Sequence, residues 1–233
     1  MDGYFGYRTW PRMSLIEWLP KFHEGKLRLV LGSASVARRK IIEQLGVPVE
    51  VIVSEFAEDL DKSSFEDLSE YPVATSMHKT KDLIPKLPLG GCAEYTVLVT
   101  CDTVVIRDDR FIMEKPVSKE HAIEMITSLS GKDHTVVTGI VVTLIDISGA
   151  TIAQNVLKEV STVRMVPLSS KQIECYVSSG EPMGKAGGYG IQGLGELLVR
   201  SVTGSYTNVV GLPLHEVSHC IGTLLFDNLG NHM

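Results

Sequence analysis

A strand, a helix and a second strand follow one another within residues 27–54, and this order constrains the fold more than any other feature of the chain. Residues 27–31 are rich in leucine and valine, and residues 47–54 form a second β-prone run. Between them, apolar residues at 41–45 recur at helical spacing, and Gly46 is placed to end the helix in the left-handed conformation. The unit predicts an α/β protein built around a sheet.

The rest of the chain continues to alternate strand and helix patterns. We predict a mixed, twisted α/β sheet in two lobes with a central cleft, formed by residues 27–233 as one domain, with residues 1–26 as an N-terminal extension. The further predicted elements are a helix from near Pro72 to Ile84, a strand at 95–106, a helix from Ser118 to Gly131, strands at 135–146 and 152–165, a helix that starts at the Ser169/Gln172 capping box and closes at Gly180, and a helix opened by Pro213.

The N-terminal extension is rich in aromatic side chains but lacks the apolar core of a signal peptide. Because aromatic residues in a tail bury against apolar surface, we expect the extension to pack on the outside of the core or on a partner chain. No function is assigned to it. The aromatic residues are Tyr4, Phe5, Tyr7, Trp10, Trp18 and Phe22.

The composition argues against several classes of protein. The net charge is −6 and no long run of Lys or Arg is present, so we expect no nucleic-acid partner. The longest apolar runs, such as residues 139–147, are far shorter than the roughly 20 residues of a membrane-spanning helix, so we expect a cytoplasmic protein without a membrane partner. Neither a zinc site nor a disulfide framework is indicated, because the cysteines lie far apart and form no CxxC pair. They are Cys92, Cys101, Cys175 and Cys220.

The turn after the first strand has the composition of an anion site. It consists of Gly32-Ser33-Ala34-Ser35 and is followed by Arg38-Arg39-Lys40. A helix N-terminus offers backbone N–H groups and partial positive charge, and arginine can bind phosphate oxygens through two hydrogen bonds. The alternative is that Ser33 or Ser35 caps the helix and that the three cations form a solvated face. The local sequence leaves both interpretations open.

Asp102 is the most unusual charge in the chain because it interrupts a mostly apolar strand at 97–106. Burial of a carboxylate there is costly unless the charge is paired or binds a cation. The position therefore indicates a metal ligand or a general base, with a structural aspartate bonded to backbone amides as the alternative. Glu58, Lys79 and Lys115, taken singly, resemble ordinary surface charges.

Residues 180–193 contain six glycines in fourteen positions. Glycine at this density lets a backbone approach a ligand closely, but the segment fits neither the P-loop nor the Rossmann pattern. The alternative is a turn-rich connection between a helix and a strand.

Taken together, these segments resemble the Maf family of nucleotide pyrophosphatases, over a match that extends from about Leu27 to Leu214. Several motifs in the family's order are more specific than any single motif. They are S-x-S-x-x-R as Ser33, Ser35 and Arg38; Asp-Thr-Val-Val at residues 102–105; Lys115-Pro116; Leu129-Ser130-Gly131 with His134; Thr138-Gly139; the glycine-rich segment 180–193; and residues 204–214.

The resemblance implies a fold similar to that of inosine triphosphate pyrophosphatases, an active site in the cleft, a small nucleotide as substrate and a homodimer. Because oxygen ligands without a Cys or His cluster suit hard cations, Mg²⁺ or Mn²⁺ is the expected cofactor. Whether Asp102 acts as base or as metal ligand stays open. The implied catalytic residues are Asp102, Lys115, Lys79 and Glu58, with Asp102 and Glu58 as metal ligands, and the implied substrate-binding residues are Ser33, Ser35, Arg38, Thr103 and Gln192.

Thr103 and Gln192 resemble the branch of the family that acts on dTTP and UTP. The expected reaction is therefore hydrolysis of a pyrimidine nucleoside triphosphate to its monophosphate and pyrophosphate, which removes non-standard or excess nucleotides. Val36 and Ala37 stand where many relatives have Pro and Arg, so one phosphate or base contact is missing or supplied elsewhere. Two alternatives remain: a house-cleaning pyrophosphatase for methylated or purine nucleotides, and a non-catalytic nucleotide-binding regulator of cell division.

Overall fold

The computed structural model describes residues 15–88 and 91–230 of the chain. Its strands are β1 (Leu27–Gly32), β2 (Val49–Val51), β3 (Tyr95–Arg107), β4 (Phe111–Met113), β5 (Asp133–Asp146), β6 (Thr151–Met165) and β7 (Val199–Thr203). Its α-helices are α1 (Leu19–His23), α2 (Val36–Ile42), α3 (Tyr71–Leu83), α4 (Lys119–Leu129), α5 (Ser170–Ser178), α6 (Tyr206–Val210) and α7 (Leu214–Leu229). Short 3₁₀ helices lie at Leu15–Trp18, Glu43–Leu45, Lys62–Ser64, Leu68–Glu70, Ile84–Lys86, Ala186–Gly188 and Leu194–Leu198.

The strands of the described residues form one mixed sheet in the order β2-β1-β3-β5-β6-β7, and β4 pairs with β3. β1 is parallel to both β2 and β3, whereas the remaining pairs are antiparallel. This arrangement confirms the predicted mixed α/β sheet. The predicted strand–helix–strand unit corresponds to β1, α2 and β2.

β2 is shorter than the predicted strand at 47–54, since it spans Val49–Val51. The Ile52 backbone N–H still donates to the Leu31 carbonyl. From Ser54 onward the chain leaves the sheet, and the Ser54 hydroxyl donates to Asp82 on α3 instead. The sheet edge therefore ends where the segment that carries Glu58 begins.

The long strand β3 contributes side chains to four apolar clusters, of which the two largest lie towards its two ends. Near its start, Val97 and Val99 pack in a cluster that also contains α7, and near its end Val105 packs in a second cluster with α4 and α5. Asp102 lies between these ends, at the point where the apolar side chains give way to polar ones. The division into two lobes stays a prediction; Asp102 and Thr103, which lie between these two clusters along β3, line the cleft.

The predicted caps are present. Ser118 Oγ accepts a hydrogen bond from the His121 backbone N–H, and Ser169 with Gln172 forms the full capping box at the start of α5. Gly46 has a φ of 73° and ends the short 3₁₀ helix after α2 in the left-handed region. These signals are local in sequence, which explains why they could be identified before the fold was known.

Part of the predicted N-terminal extension lies in the main core. Leu15, Trp18 and Phe22 are buried in the cluster that contains α7. The other aromatic residues named above, Tyr4, Phe5, Tyr7 and Trp10, lie outside the described residues. The domain boundary at residue 27 stays a prediction.

No helix within the described ranges is long and apolar enough to cross a membrane. All four cysteines are free thiols, and those at positions 101 and 220 are buried. The cytoplasmic location stays a prediction.

Candidate active site

A single large cleft collects all nine of the residues implied by the resemblance. Its volume is about 960 Å³, and it is lined by the end of β1, the start of α2, the loop before α3, the middle of β3 and the glycine-rich segment. The nine residues are Ser33, Ser35, Arg38, Glu58, Lys79, Asp102, Thr103, Lys115 and Gln192.

Lys79 joins two carboxylates at the inner end of this cleft. Its Nζ lies 2.9 Å from Asp102 Oδ1 and 2.8 Å from Glu58 Oε1. Lys79 is only 5% exposed and Asp102 7%, whereas the Glu58 side chain is 44% exposed. The buried Asp102 charge is therefore paired, as its position in an apolar strand requires.

Close packing of α3 on the sheet brings Lys79 to Asp102. In the register of β3 and β5, Asp102 lies opposite Gly139. A Cβ at Gly139 would lie 2.4 Å from the backbone nitrogen of Val73, so a side chain there would force α3 away from the sheet. The buried Ser76 Oγ lies 2.8 Å from the Gly139 carbonyl oxygen and fixes the same contact. The glycine of the Thr138-Gly139 motif thus serves helix packing.

Glu58 belongs to a loop and has a φ of 57°, an unusual value for a residue with a side chain. Its carbonyl oxygen accepts a hydrogen bond from Tyr71 Oη at 3.0 Å. Partial burial raises the pKa of the Glu58 carboxyl, but the hydrogen bond and charge of Lys79, together with the charges of Lys115 and Arg38, outweigh it, so the pKa is lowered overall. Glu58 is thus held as a carboxylate that faces several cations.

Arg38 binds protein acceptors with most of its donors. Its Nε donates to the Gly211 carbonyl at 2.8 Å, Nη1 to Ser33 Oγ and the Cys101 carbonyl at 3.2 Å each, and Nη2 to Thr103 Oγ1 at 2.9 Å. A guanidinium has five N–H groups, so one N–H on Nη2 is left for a ligand. Arg38 is therefore a cross-link between β1, β3 and the turn before α7, as well as a cation on the cleft.

The two serines of the first turn have different surroundings. Ser35 caps α2, because its Oγ accepts from the Arg38 backbone N–H at 3.3 Å. This confirms the structural alternative for Ser35, while a nucleotide contact stays a prediction. Ser33 is buried at the cleft wall and accepts from Arg38 Nη1 and from the Ser35 N–H.

Lys115 and Gln192 lie at the mouth of the cleft, and both are exposed. Within the described part of the chain, neither side chain has a hydrogen-bond or ion-pair partner. Thr103 is the other residue expected to select the base; its Oγ1 accepts a hydrogen bond from Arg38 Nη2 and shares another with Thr138 Oγ1, each at 2.9 Å. The Thr103 hydroxyl is thus already hydrogen-bonded to the protein, whereas the Lys115 and Gln192 side chains are available to a ligand.

Sequence reasoning missed the contacts that shape the glycine-rich segment. The Glu181 carboxylate accepts hydrogen bonds from the backbone N–H groups of Leu194 and Gly195, both at 2.9 Å, and so closes the segment into a loop. On the cleft wall, Tyr189 Oη lies 2.7 Å from Nε2 of the buried His134. Burial lowers the pKa of His134 to about 4, so the ring is neutral at pH 7. His134 appeared in the family motif, but nothing local indicated its partner.

The donor set suits a divalent cation only in part. Among the described residues, no group of three or more His, Cys, Asp or Glu side chains could hold a metal ion. Glu58 and Asp102 each have one carboxylate oxygen on Lys79 and a second oxygen available. Mg²⁺ is commonly bound by one or two carboxylates together with substrate phosphates. The pair fits that mode, in which substrate phosphates would supply the remaining ligands.

Comparisons with known proteins show the family to which the chain belongs. The family model described as "Maf-like protein" matches residues 28–224, and the chain belongs to this family. A protein from Ruminiclostridium cellulolyticum named dTTP/UTP pyrophosphatase is 34% identical over 84% of this chain and 95% of its own length. One of the same name from Vibrio parahaemolyticus is 37% identical over 85% of this chain and 98% of its own.

A human protein named probable bifunctional dTTP/UTP pyrophosphatase/methyltransferase is 40% identical over 82% of this chain, which spans 32% of the human protein's length. Among solved structures, a nucleoside-triphosphatase (dITP/XTP pyrophosphatase) from Mycobacterium abscessus matches 86% of this chain and 96% of its own, with 12% identity and a TM-score of 0.37.

Proposed function

We propose that the chain hydrolyses a nucleoside triphosphate, with dTTP and UTP as the lead substrates, to the nucleoside monophosphate and pyrophosphate. The observation that carries the proposal is the buried Lys79, which holds Asp102 and Glu58 at the inner end of a cleft lined with further cations. The names of the Maf-family relatives support the same reaction and the same substrates.

Cleavage between the α and β phosphates requires a water directed at the α phosphorus and positive groups near the leaving pyrophosphate. Asp102 would accept the proton of that water or hold a cation beside it. Lys79 would stabilise the charge that develops on the leaving group, and Lys115, at the more exposed side of the cleft, would bind the triphosphate. Ser33 and the remaining N–H of Arg38 would contact phosphate oxygens, and the N-terminal turn of α2, capped by Ser35, would lie beside them.

The proposed cofactor is a divalent cation, Mg²⁺ or Mn²⁺, held by Asp102 and Glu58. Such a cation polarises phosphoryl oxygens and lowers the pKa of a bound water. In this scheme Lys79 keeps the two carboxylates close together before a substrate binds. A homodimer and a cytoplasmic location complete the proposal.

Gln192 and Thr103 are the proposed selectors of the base. Polar groups that bind a base edge discriminate strongly, because a wrong base leaves them unpaired. Gln192 has a free amide at the mouth, whereas Thr103 acts through a hydroxyl already shared with Arg38 and Thr138. We therefore assign the direct base contact to Gln192 and the fixing of the adjacent wall to Thr103.

Release of pyrophosphate from dTTP, UTP, CTP, dITP and 7-methyl-GTP, with Mg²⁺, Mn²⁺ or a chelator, tests the proposal. We expect cation-dependent release, with the highest kcat/KM for dTTP and UTP. A preference of more than about tenfold for a purine would replace the pyrimidine assignment, since tenfold corresponds to ~1.4 kcal/mol of transition-state binding. No release from any nucleotide would leave the non-catalytic regulator as the better account.

A further inference from the structure

The segment from Ser54 to Glu58 has no regular secondary structure, yet it places a carboxylate 2.8 Å from the buried Lys79 amine. Glu58 also adopts a positive φ of 57°, which costs free energy for a residue with a Cβ. Such a conformation persists only where surrounding contacts hold it. Contacts elsewhere in the segment must therefore contribute to the position of Glu58.

Asp82, near the end of α3, makes the most extensive of these contacts. Its Oδ2 accepts hydrogen bonds from Ser54 Oγ at 2.8 Å and from the Glu55 backbone N–H at 2.9 Å. Its Oδ1 accepts from Lys86 Nζ at 2.8 Å, and the same amine lies 2.6 Å from Glu55 Oε2. Hydrogen bonds from Lys86, Ser54 and the Glu55 backbone lower the pKa of Asp82 to about 2, so the acceptor is ionised at neutral pH.

A ring contact continues the attachment one turn earlier on α3. The side chain of Phe56 stacks on His78, with ring centroids 4.9 Å apart and an angle of 15° between the planes. The Phe56 backbone N–H donates to Ser54 Oγ at 3.1 Å, which links this contact to the one at Asp82. The segment thus runs along α3 towards the start of the helix, where the Glu58 carbonyl accepts from Tyr71 Oη.

The attachment has a geometric consequence for the cleft. Asp82 and Lys79 are three residues apart on α3 and therefore lie on neighbouring positions of one helix face. Because Ser54 and Glu55 are bonded to Asp82, the residues that follow them continue along this face of α3 and bring Glu58 next to Lys79. Asp82 does not itself line the cleft.

We propose that Asp82 is a positioning residue for the reaction: by holding Ser54 and the Glu55 backbone to α3, it keeps the Glu58 carboxylate against Lys79. The role rests on the proposed function, because it acts through Glu58. Its advantage is preorganisation, since the nucleotide meets a carboxylate that is already placed and no loop has to be ordered during turnover.

Three aspartate variants test the role. Asp82→Ala removes every contact of the side chain, whereas Asp82→Asn keeps a carbonyl oxygen that can accept from Ser54 and Glu55. Asp67→Ala is the matched control, because Asp67 accepts from the Ser69 N–H at 2.9 Å and pairs with Lys158 at 3.3 Å but lies away from the cleft lining.

We expect Asp82→Ala to lower kcat for dTTP about 10- to 100-fold, the cost of a misplacement of about 1 Å, while KM stays near that of the wild type. Asp82→Asn should recover most of kcat, and Asp67→Ala should leave it unchanged. Hydrogen exchange of the Glu55 and Phe56 amides should be faster in Asp82→Ala only. Kinetics are measured at a temperature where denaturant titration shows every variant to be folded.

The outcomes separate this inference from the proposed function. A kcat of Asp82→Ala equal to that of Asp67→Ala overturns the positioning role alone. A loss in Asp82→Asn as large as in Asp82→Ala also overturns it, since the shared hydrogen bonds would then not be the link. Ser54→Ala, which removes one of the two bonds to Oδ2, should give an intermediate kcat and replaces Asp82→Ala if that variant does not fold. No pyrophosphate from the wild type overturns the proposed function and this role together.

Discussion

The inner end of the cleft and its mouth differ in how their charged side chains are held. At the inner end, Lys79 bonds to Asp102 and Glu58, and Arg38 donates to four acceptors of the protein. At the mouth, Lys115 is exposed and has no hydrogen-bond or ion-pair partner among the described residues, although its charge helps to lower the pKa of Glu58. Both regions carry cationic side chains, but among the described residues only those of the inner end are held by hydrogen bonds or ion pairs to the protein.

The difference indicates a division of labour. Groups that are fixed before the substrate arrives require no reorganisation in the transition state, which is the condition for strong electrostatic catalysis. Flexible exposed cations attract and retain a polyphosphate but contribute less to the chemical step. Substitutions at the inner end should therefore reduce kcat or stability, and substitutions at the mouth should mainly raise KM.

The largest effect is expected from Asp102→Asn. The change keeps the shape of the side chain but removes the charge that would accept a proton or bind the cation, so kcat should fall about 10²- to 10⁴-fold. Circular dichroism should show an intact fold, and calorimetry should show retained nucleotide binding. Activity close to that of the wild type would exclude Asp102 as base and as essential metal ligand. The proposed catalytic role of the inner end of the cleft would then be wrong.

Lys79→Met should give the next largest effect, on stability. The variant leaves the buried Asp102 carboxylate without its partner, so the free energy of unfolding should fall by about 3 kcal/mol. This value is in the lower part of the range for buried pairs, because the second partner of Lys79, Glu58, is 44% exposed. Urea denaturation at pH 7 measures the loss. Lys86→Met is the control, because its ion pairs with Glu55 and Asp82 are exposed and should matter little.

A double variant sharpens the test of this pair. When Asp102 is already neutral, removal of the Lys79 amine no longer strands a buried charge. Lys79→Met combined with Asp102→Asn should therefore be less destabilised than the sum of the two single variants. If the losses of the two single variants simply add in the double variant, Lys79 does not stabilise the fold through its pair with Asp102.

His134 should make the free energy of unfolding depend on pH, by an amount similar to the loss expected for Lys79→Met. The ring is 3% exposed, its Nδ1 has no partner in the described structure, and burial lowers its pKa from 6.5 to about 4. The unfolded chain takes up the proton first, so this contribution is complete above pH 6.5 and is lost as the pH falls towards 4, by roughly 3 kcal/mol in total.

The measurement is the free energy of unfolding between pH 7 and pH 4 for the wild type and for His134→Gln. The wild type should lose more stability than the variant over this range, because glutamine has no proton to gain. Parallel curves would mean that His134 does not titrate with the predicted shift.

Much of the site could be predicted from sequence because its signals are local. The apolar run around Asp102 marks a buried carboxylate, and Ser35 before a helical pattern marks a cap. The Maf resemblance implied nine residues, seven of them within the quoted motifs, and all nine line one cleft. Their roles stay predictions, but their proximity does not depend on the resemblance.

The remaining features depend on contacts between distant parts of the chain. The sequence predicts Arg38 as a phosphate ligand, yet its Nε donates to the carbonyl of Gly211, 173 positions away, so Arg38 is also a cross-link. The bonds of Asp82 to Ser54 and of His134 to Tyr189 have no periodicity or motif that would join the partners. Such polar contacts become visible only when packing has fixed the backbone, which also explains why the strand predicted at 47–54 ends early.

Lys115→Ala should have the smallest effect and tests the mouth of the cleft directly. An exposed cation near a ligand contributes up to about 1 kcal/mol, so KM for dTTP should rise about threefold to fivefold, with a smaller change in kcat. The rise should shrink at high salt, because exposed charges are screened. Lys119→Ala, an exposed lysine that does not line the cleft, is the control. A fall in kcat as large as that of Asp102→Asn, with KM unchanged, would place Lys115 with the inner residues and break the division between the two regions.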